Sequence, residues 1–250
     1  MSGARLAAYG RFQLTDYVVS RALLPFAMIL LIAGVPRLGM SHGMSGDYWL
    51  SRQGAQFARQ MYVQAVMLFL PLGAYFATAG AISSDRQKGF FRFFFSKPVP
   101  ATRYYLQQHV VHGLGYVALF GLLTWLWGLV TLHQSLHRAM EAAALTWVLV
   151  GGLGFALGAL IRFDGAVLAI TYLVASATQS MAASPQGALM PRWLVGLARL
   201  LPPAEALSAT RLRLIDGLAP EAEQLWHVAG YGAALWIIGW LALRLRPLQR

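Results

Sequence analysis

Long apolar runs, separated by shorter polar segments, set the pattern of this 250-residue chain. Several runs reach the length of about 18 to 20 residues that carries a helix across a bilayer core. The pattern therefore predicts an all-α polytopic membrane protein, with six transmembrane helices in a single transmembrane domain, residues 1–250. The spans are predicted at about 19–37, 61–83, 108–131, 141–161, 165–183 and 226–245. Continuous apolar runs exclude a transmembrane barrel, whose strands alternate apolar and polar residues over about ten positions.

Two of the polar segments are long enough to carry structure of their own. Residues 84–103 form a loop between the second and third predicted spans. Residues 184–225, which precede the last span, are expected to hold two short helices on the outer face. Pro202 and Pro203 break the chain between these helices, and proline suits the first turn of the second. Residues 4–17 are weakly amphipathic, so we expect them to lie along the membrane surface.

The charge of the chain bears on its partners and on its orientation. The chain is 58% hydrophobic and has a formal net charge of +11. Basic residues at the ends of membrane helices meet anionic lipid, so we expect membrane lipid, and no nucleic acid, as a partner. If both termini share one face with loop 84–103, that face holds most of the 20 arginines and lysines. The positive-inside rule then predicts cytoplasmic N- and C-termini in a plasma membrane, the inner membrane of a bacterium.

Several kinds of catalytic chemistry are missing from the sequence. The chain has no cysteine, and neither lysine lies in a phosphate loop, because Lys88 precedes Gly89 and Lys97 precedes Pro98. No G-x-S-x-G or H-E-x-x-H motif is present. We therefore expect no enzyme activity in this chain, no metal site and no cofactor bound to it.

The acidic residues argue against transport driven by protons or sodium ions. No Asp or Glu lies well inside a predicted span, whereas ion-driven transporters bury carboxylates along the ion path. Asp164 falls in the short turn between the fourth and fifth spans, two residues after Arg162. We expect these two residues to form a pair at the cytoplasmic surface. Transport would then need an external source of energy.

The histidines leave one alternative open. Their positions are His42, His109, His112, His133, His137 and His227. We expect them to be interfacial or to lie in loops, with His109 and His112 at the cytoplasmic end of the third span. Two histidines on neighbouring helices could hold a haem, and the segment 40–44, Met-Ser-His-Gly-Met, has ligand types that suit copper. A membrane anchor of a haem- or metal-binding enzyme therefore remains an alternative function.

The loop at 84–103 has the composition of a docking surface. A short helix over 86–96 would place Phe90, Phe93 and Phe94 on one face, and Pro98 would stop it. Aromatic side chains at the centre of a contact carry much of its binding energy, and the neighbouring basic residues could meet carboxylates of a partner. The alternative is that the phenylalanines lie in the lipid headgroup region.

Two segments resemble the ABC-2 type (type V) permeases of ABC transporters. The first reads Asp-Arg-Gln-Lys-Gly over 85–89, then Phe-Phe-Phe-Ser-Lys-Pro-Val over 93–99, with Arg103 entering the next span. It is similar to the loop after the second span of that family. The second reads Leu-Pro-Pro over 201–203 and continues to Gly217. It is similar to the outer helix before the family's last span, and six spans with cytoplasmic termini agree with the family topology.

The resemblance implies a function, partners and site residues. It implies a membrane-spanning permease subunit of an ATP-driven exporter, which borrows ATP hydrolysis from an ABC ATP-binding subunit that holds ATP and Mg, and which pairs with a second permease copy, expected to form a homodimer. The ATPase-docking residues would be Asp85, Arg86, Lys88, Gly89, Phe90, Arg92, Phe93, Phe94, Ser96, Lys97 and Pro98. A translocation path between the second and fifth spans would include Gln64, Thr78, Thr171, Ser176, Thr178 and Gln179. The outer gate helix would include Pro202, Pro203 and Arg211.

The chain also departs from the family pattern. Asp85 stands where the family often has Glu, and Gln107 and Gln108 stand where it often has Gly-Lys. A non-transporting membrane assembly or sensor subunit is a further alternative. The cargo is not readable from the sequence, although a largely apolar path would favour a lipid-like molecule.

Overall fold

The computed structural model describes residues 3–23, 27, 52–88, 100–132, 135–161 and 164–245. Within these ranges the regular structure is helical and no strand occurs. The first half contains α1 (Gly3–Asp16), continued by π-helical turns at Tyr17–Ala22, then α2 (Arg52–Thr78), α3 (Ser83–Lys88) and α4 (Ala101–Leu132). The second half contains α5 (Leu136–Thr146), π-helical turns at Trp147–Gly151, α6 (Gly152–Leu160), α7 (Asp164–Ala183), a 3-10 turn (Pro185–Leu189), α8 (Arg192–Leu200), α9 (Ala204–Ile215) and α10 (Ala222–Leu245).

Five helical stretches of the described chain are long and apolar enough to cross a membrane. They are Arg59–Asp85, Thr102–Trp127, Leu136–Leu160, Asp164–Ala183 and Ala222–Leu245. These stretches overlap the second to sixth predicted spans, so the all-α class is confirmed, and the length and composition of these helices support a membrane-embedded protein. The first predicted span, at about 19–37, lies mostly outside the described residues. The count of six and the side of the termini therefore remain predictions.

The membrane-type helices tolerate features that would break a helix in water. Pro71 lies inside α2, which continues through it. Neighbouring helices can satisfy the backbone groups that a proline frees in a transmembrane helix. The hydroxyl of Tyr116 on α4 donates to the carbonyl oxygen of Leu70, 2.8 Å away, and so bonds the backbone directly beside this proline.

Glycines let the helices approach closely at the centre of the bundle. α10 runs parallel to α6 and the π-helical turns before it, and packs against both. A Cβ atom on Gly232 would lie 2.6 Å from the carbonyl oxygen of Val148, so only glycine fits there. The indole nitrogen of Trp236 donates to the same carbonyl oxygen at 3.2 Å. This contact fixes α10 against the centre of the bundle.

The bundle has two ends that carry different structure. At one end, which we term the corner end, α2 turns into α3, and Ile82, Tyr105, Ala159 and Leu243 form one buried cluster. At the opposite end, α8 and α9 cover the helices, and Leu207 packs with Leu149 and Val228. The corner end therefore holds the start of the loop at 84–103.

The helices differ greatly in how far the rest of the chain encloses them. The most apolar 18 residues of the stretch Leu136–Leu160 are 72% buried within the chain, whereas those of Asp164–Ala183 are only 11% buried. α7 exposes Ile170 and Leu173 most strongly. α7 is therefore peripheral in the single chain, with an outer surface that the described chain leaves uncovered.

Candidate functional site

The corner between α2 and α3 is built around one buried carboxylate. Asp164, the first residue of α7, is only 3% exposed. Its Oδ1 accepts a hydrogen bond from the Ser83 hydroxyl at 2.5 Å, and its Oδ2 accepts one from the backbone N–H of Gly80 at 3.2 Å. Gly80 has a φ of +73°, which the turn requires and which glycine adopts without strain. A carboxylate also suits the positive end of the α7 dipole.

The expected surface pair of Asp164 with Arg162 is therefore wrong as far as Asp164 is concerned. Asp164 is buried and its described donors are the Ser83 hydroxyl and the backbone N–H groups of Gly80 and Gly165, while Arg162 lies outside the described residues. The physical reason is that a buried carboxylate needs hydrogen-bond donors, and two of these three come from a helix end that is distant in sequence. Adjacency in the sequence could not reveal that approach.

Arg21 joins the N-terminal helix to the same corner. Its Nη1 donates to the carbonyl oxygen of Ala79 at 2.8 Å. The charges of Asp16, Asp85 and Asp164 all act on the guanidinium, so a half-buried cation is balanced by several carboxylates. We use the name corner cluster for Arg21, Gly80, Ser83 and Asp164.

Asp85 connects the corner to α4. The hydroxyl of Tyr105 donates to Oδ2 of Asp85 at 3.2 Å, and Tyr105 itself is fully buried. Asp85 was predicted as the first ATPase-docking residue, and the structure places it in α3 at the point where the loop leaves the bundle. This residue therefore has a structural contact beside its predicted role.

Most of the predicted docking residues lie outside the residues that the structure describes. Arg86 and Lys88 lie on the backbone of α3, but their side chains are not described. The remaining residues of the predicted surface lie outside the described residues: Gly89, Phe90, Arg92, Phe93, Phe94, Ser96, Lys97 and Pro98. The aromatic docking face over 86–96 therefore stays a prediction.

The predicted path residues fall into two groups. The hydroxyls of Thr78 and Thr178 donate back to carbonyl oxygens of their own helices, at 2.9 Å to Ala74 and 2.7 Å to Val174. Gln64 is exposed on α2, and Thr171 and Ser176 are half-buried on α7. Their place on a path between two copies stays a prediction.

Gln179 makes the most extensive polar contact of the predicted path residues. Its Nε2 donates to the carbonyl oxygens of Ala198 at 2.9 Å and Pro202 at 3.0 Å. Its Oε1 accepts from the backbone N–H of Glu205 at 3.0 Å. One side chain therefore bonds a carbonyl in the last turn of α8, the carbonyl of Pro202 in the link between the helices, and the N–H of Glu205 in the first turn of α9. The double proline signals in the sequence that such groups need a partner, but it does not identify Gln179.

The predicted outer gate residues lie at the start and in the middle of α9. Pro202 and Pro203 are buried immediately before the helix. Arg211 is 1% exposed and donates through Nη2 to the hydroxyl of Ser208 at 3.2 Å. Its Nε and Nη1 have no hydrogen-bond acceptor within the described chain. Nothing in the sequence indicates that this arginine is fully buried.

Two histidines that were predicted at the cytoplasmic end of the third span have fully buried side chains, His109 and His112. The Nδ1 of His112 lies 3.2 Å from the carbonyl oxygen of Ala77, and His109 packs on the ring of Phe155 at 4.7 Å. The sequence did not indicate this burial between helices. α4 begins at Ala101, ahead of the predicted span, and the depth of the two histidines in the membrane stays a prediction.

The other histidines give no sign of a ligand set where they are described. His137 is exposed and pairs with Glu141 at 3.0 Å, and His227 is also exposed. His42 and His133 lie outside the described residues. Among the residues that the structure describes, no group of three or more His, Cys, Asp or Glu could hold a metal ion.

Comparisons with known proteins do not assign the chain to a family. No model of a known family matches it, and no curated protein matches it. What the structure defines is a class: a helical protein whose described part contains five helices of the length and composition that cross membranes. A function for this class has to be argued from the loop at 84–103 and from the corner that holds it.

Proposed function

We propose that the chain is the membrane-spanning permease subunit of an ATP-driven ABC exporter, which couples ATP hydrolysis by a separate nucleotide-binding subunit to movement of a substrate. The observation that carries the proposal is the corner cluster. The loop with the predicted docking surface starts from a helix end that is hydrogen-bonded to two other membrane helices and to the N-terminal helix. A loop held in this way can pass a push from a partner into the bundle.

Three contacts would carry such a push. Displacement of α3 acts on α7 through the bond of Ser83 to Asp164. It acts on the start of α4 through Asp85 and Tyr105, and on the N-terminal helix through the contact of Arg21 with Ala79. Because the three contacts lie at one end of the bundle, one movement of the loop would tilt several helices together. Such a tilt is what alternating access to a central path requires.

The expected partners follow from the lack of a phosphate loop in this chain and from its exposed apolar surface. ATP and Mg would be held by the ATPase subunit, since neither lysine lies in a phosphate loop. A second copy of the permease would pack so that α2 and α7 line a shared path, and the exposed apolar surface of α7 suits either lipid or that copy. The corner end would face the cytoplasm, with both termini, in a bacterial inner membrane.

The test is recovery of the ATPase with the full-length tagged chain from its own membranes in mild detergent. We expect a phosphate-loop ATPase to co-purify, and the double variant Phe93→Ala, Phe94→Ala to recover about tenfold less of it, because buried aromatics dominate such contacts. Phe12→Ala is the matched control, since Phe12 is 62% exposed on α1 and lies outside the loop. Absence of any phosphate-loop ATPase, or equal recovery by both variants at equal membrane abundance, would reject the proposal.

A further inference from the structure

Arg211 occupies the centre of a face of α9 that is otherwise apolar. Leu207, Arg211 and Leu214 follow one another at i, i+4 and i+7, so they share one side of the helix. Leu207 and Leu214 are fully buried and Arg211 is 1% exposed. Both leucines pack into the core of the bundle. The guanidinium therefore lies where the packing would favour a third apolar residue.

The guanidinium has no carboxylate partner among the described residues. Its one hydrogen bond goes to the neutral hydroxyl of Ser208, and its Nε and Nη1 have no acceptor there. The nearby acids on this side of the bundle that form ion pairs do so with other cations: Arg59 with Asp216, Arg138 with Glu141, and Arg213 with Glu221. Asp47 is the only acidic residue of the chain that lies outside the described residues.

A buried guanidinium without a counter-charge is physically costly. Arginine does not lose its proton in proteins, so it cannot become neutral when it is buried. A charge that is removed from water needs an anion or several acceptors to offset the lost hydration. The planar guanidinium suits the oxygens of a carboxylate or a phosphate in particular. An anionic group is therefore expected beside Arg211 in some state of the protein.

We propose that Arg211 binds the anionic group of the transported molecule. This rests on the proposed function, because a transported molecule is a ligand that enters and leaves the bundle. The rest of that molecule is expected to be apolar. Leu214, one turn beyond Arg211 on the same face, belongs to the buried cluster that contains Tyr116, whose ring stacks on Phe120 and Trp147 at 5.0 and 5.5 Å. The cargo class is thus an apolar molecule with one carboxylate or phosphate.

The polar contacts at the ends of α9 suggest how the site opens. Gln179 holds the first turn of α9, and Arg59 pairs with Asp216 just after its last turn. The side chain of Arg59 is 47% exposed, so water competes with this pair and makes it easy to break. Asp216 lies little more than one helical turn beyond Arg211. Loss of the Arg59–Asp216 pair would remove one of the contacts that hold the end of α9, beside the bonds of Arg213 to Ala219 and Glu221, and so favour exposure of the guanidinium.

The test is the unfolding temperature of the purified full-length chain with defined anionic probes, in the absence of any ATPase. The probes are inorganic phosphate, dihexanoyl phosphatidic acid and, as the uncharged control, dihexanoylglycerol. We expect phosphatidic acid to raise the unfolding temperature of the unmodified chain by about 5 °C at ~100-fold above its Kd, and dihexanoylglycerol to leave it unchanged. A shift with phosphate as well would assign the site to free anions, and a shift with phosphatidic acid alone would assign it to amphiphiles.

Matched variants assign the effect to Arg211. Arg211→Met should abolish the shift and Arg211→Lys should weaken it, while Arg199→Met, which removes an exposed arginine on α8, should keep it. No shift in the unmodified chain, or a shift that survives Arg211→Met, overturns the proposal.

Asp47→Asn covers the case in which Arg211→Met does not fold. If Asp47 is the natural partner of Arg211, Asp47→Asn will lower the unfolding temperature, and the anionic probe will raise the unfolding temperature of this variant but not that of the unmodified chain. That result also overturns the proposal. Because the binding test needs no ATPase, its failure leaves the ATPase partnership intact, and failure of the ATPase recovery leaves a positive binding result intact.

Discussion

Ser83 donates its hydroxyl to the buried carboxylate of Asp164 across 81 residues of sequence. The bond joins the end of α2 to the start of α7, and the backbone N–H of Gly80 supplies a second donor to the same carboxylate. A buried carboxylate that accepts several hydrogen bonds holds its surroundings in one geometry, because each donor would be unsatisfied elsewhere. Through this pair, the conformation of the α2–α3 turn, from which the loop at 84–103 starts, depends on α7.

Asp164→Asn should lower stability because it replaces one of the two acceptor oxygens with a donor and removes the charge that acts on Arg21. We expect a loss of about 1 to 3 kcal/mol in the free energy of unfolding, measured by thermal or denaturant unfolding in detergent. Asp216→Asn is the control, since its pair with Arg59 is partly exposed and should contribute less than about 1 kcal/mol. Equal losses in the two variants would mean that the corner cluster contributes no more to stability than a partly exposed ion pair does.

Gln179→Ala should destabilise the junction of α8 and α9. The change removes the side-chain partner of the Ala198 carbonyl oxygen and of the Glu205 N–H, at a cost of about 2 kcal/mol, while the Pro202 carbonyl oxygen keeps its bond from the N–H of Ala204. Gln64→Ala, on the exposed face of α2, should change stability by less than about 0.5 kcal/mol. A Gln179→Ala variant with unchanged stability but altered transport would instead favour the predicted role on the path.

The absence of cysteine allows a clean test of orientation. A single Ser96→Cys variant, in the predicted docking loop, should resist a membrane-impermeant maleimide in intact cells and react after the cells are opened. A single Ser135→Cys variant, exposed at the start of α5, should react in intact cells. The reverse result would place the loop outside the cell and exclude docking of a cytoplasmic ATPase.

Arg211→Met should make the chain more stable when no anion is present. Methionine fills a similar volume between Leu207 and Leu214, and it removes a buried charge that has no counter-charge in the described chain. We expect a gain of about 1 to 3 kcal/mol, because well-packed apolar residues can replace buried charges with a gain in stability. A clear loss of stability would show that Arg211 has a permanent partner within the protein.

The sequence predicts the helices well and their contacts poorly. Apolar runs locate α2, α4, α7 and α10, because burial in lipid imposes length and composition on every span. The start of α4 is missed because residues 101–107 are polar enough to read as loop, although they continue the same helix.

The polar contacts could not be predicted for a different reason. Gln179 and Asp164 bind groups that lie far away in sequence or on other helices, and no pattern along one helix encodes such a partner. Arg211 follows the same rule, because its burial depends on how α9 lies across the bundle. The docking loop has the opposite character: its residue types are informative, but its residues from Gly89 to Val99 lie outside the described chain.

The close contact of Gly232 with the backbone at Val148 limits how the protein can move. Two helices whose main chains are in such close contact cannot slide along each other without a steric clash. We therefore expect α6 and α10 to move as one rigid unit. α7 has far fewer neighbours to restrain it. In a cycle of opening and closing, α7 would then pivot relative to this rigid unit, with its first residue, Asp164, as the hinge.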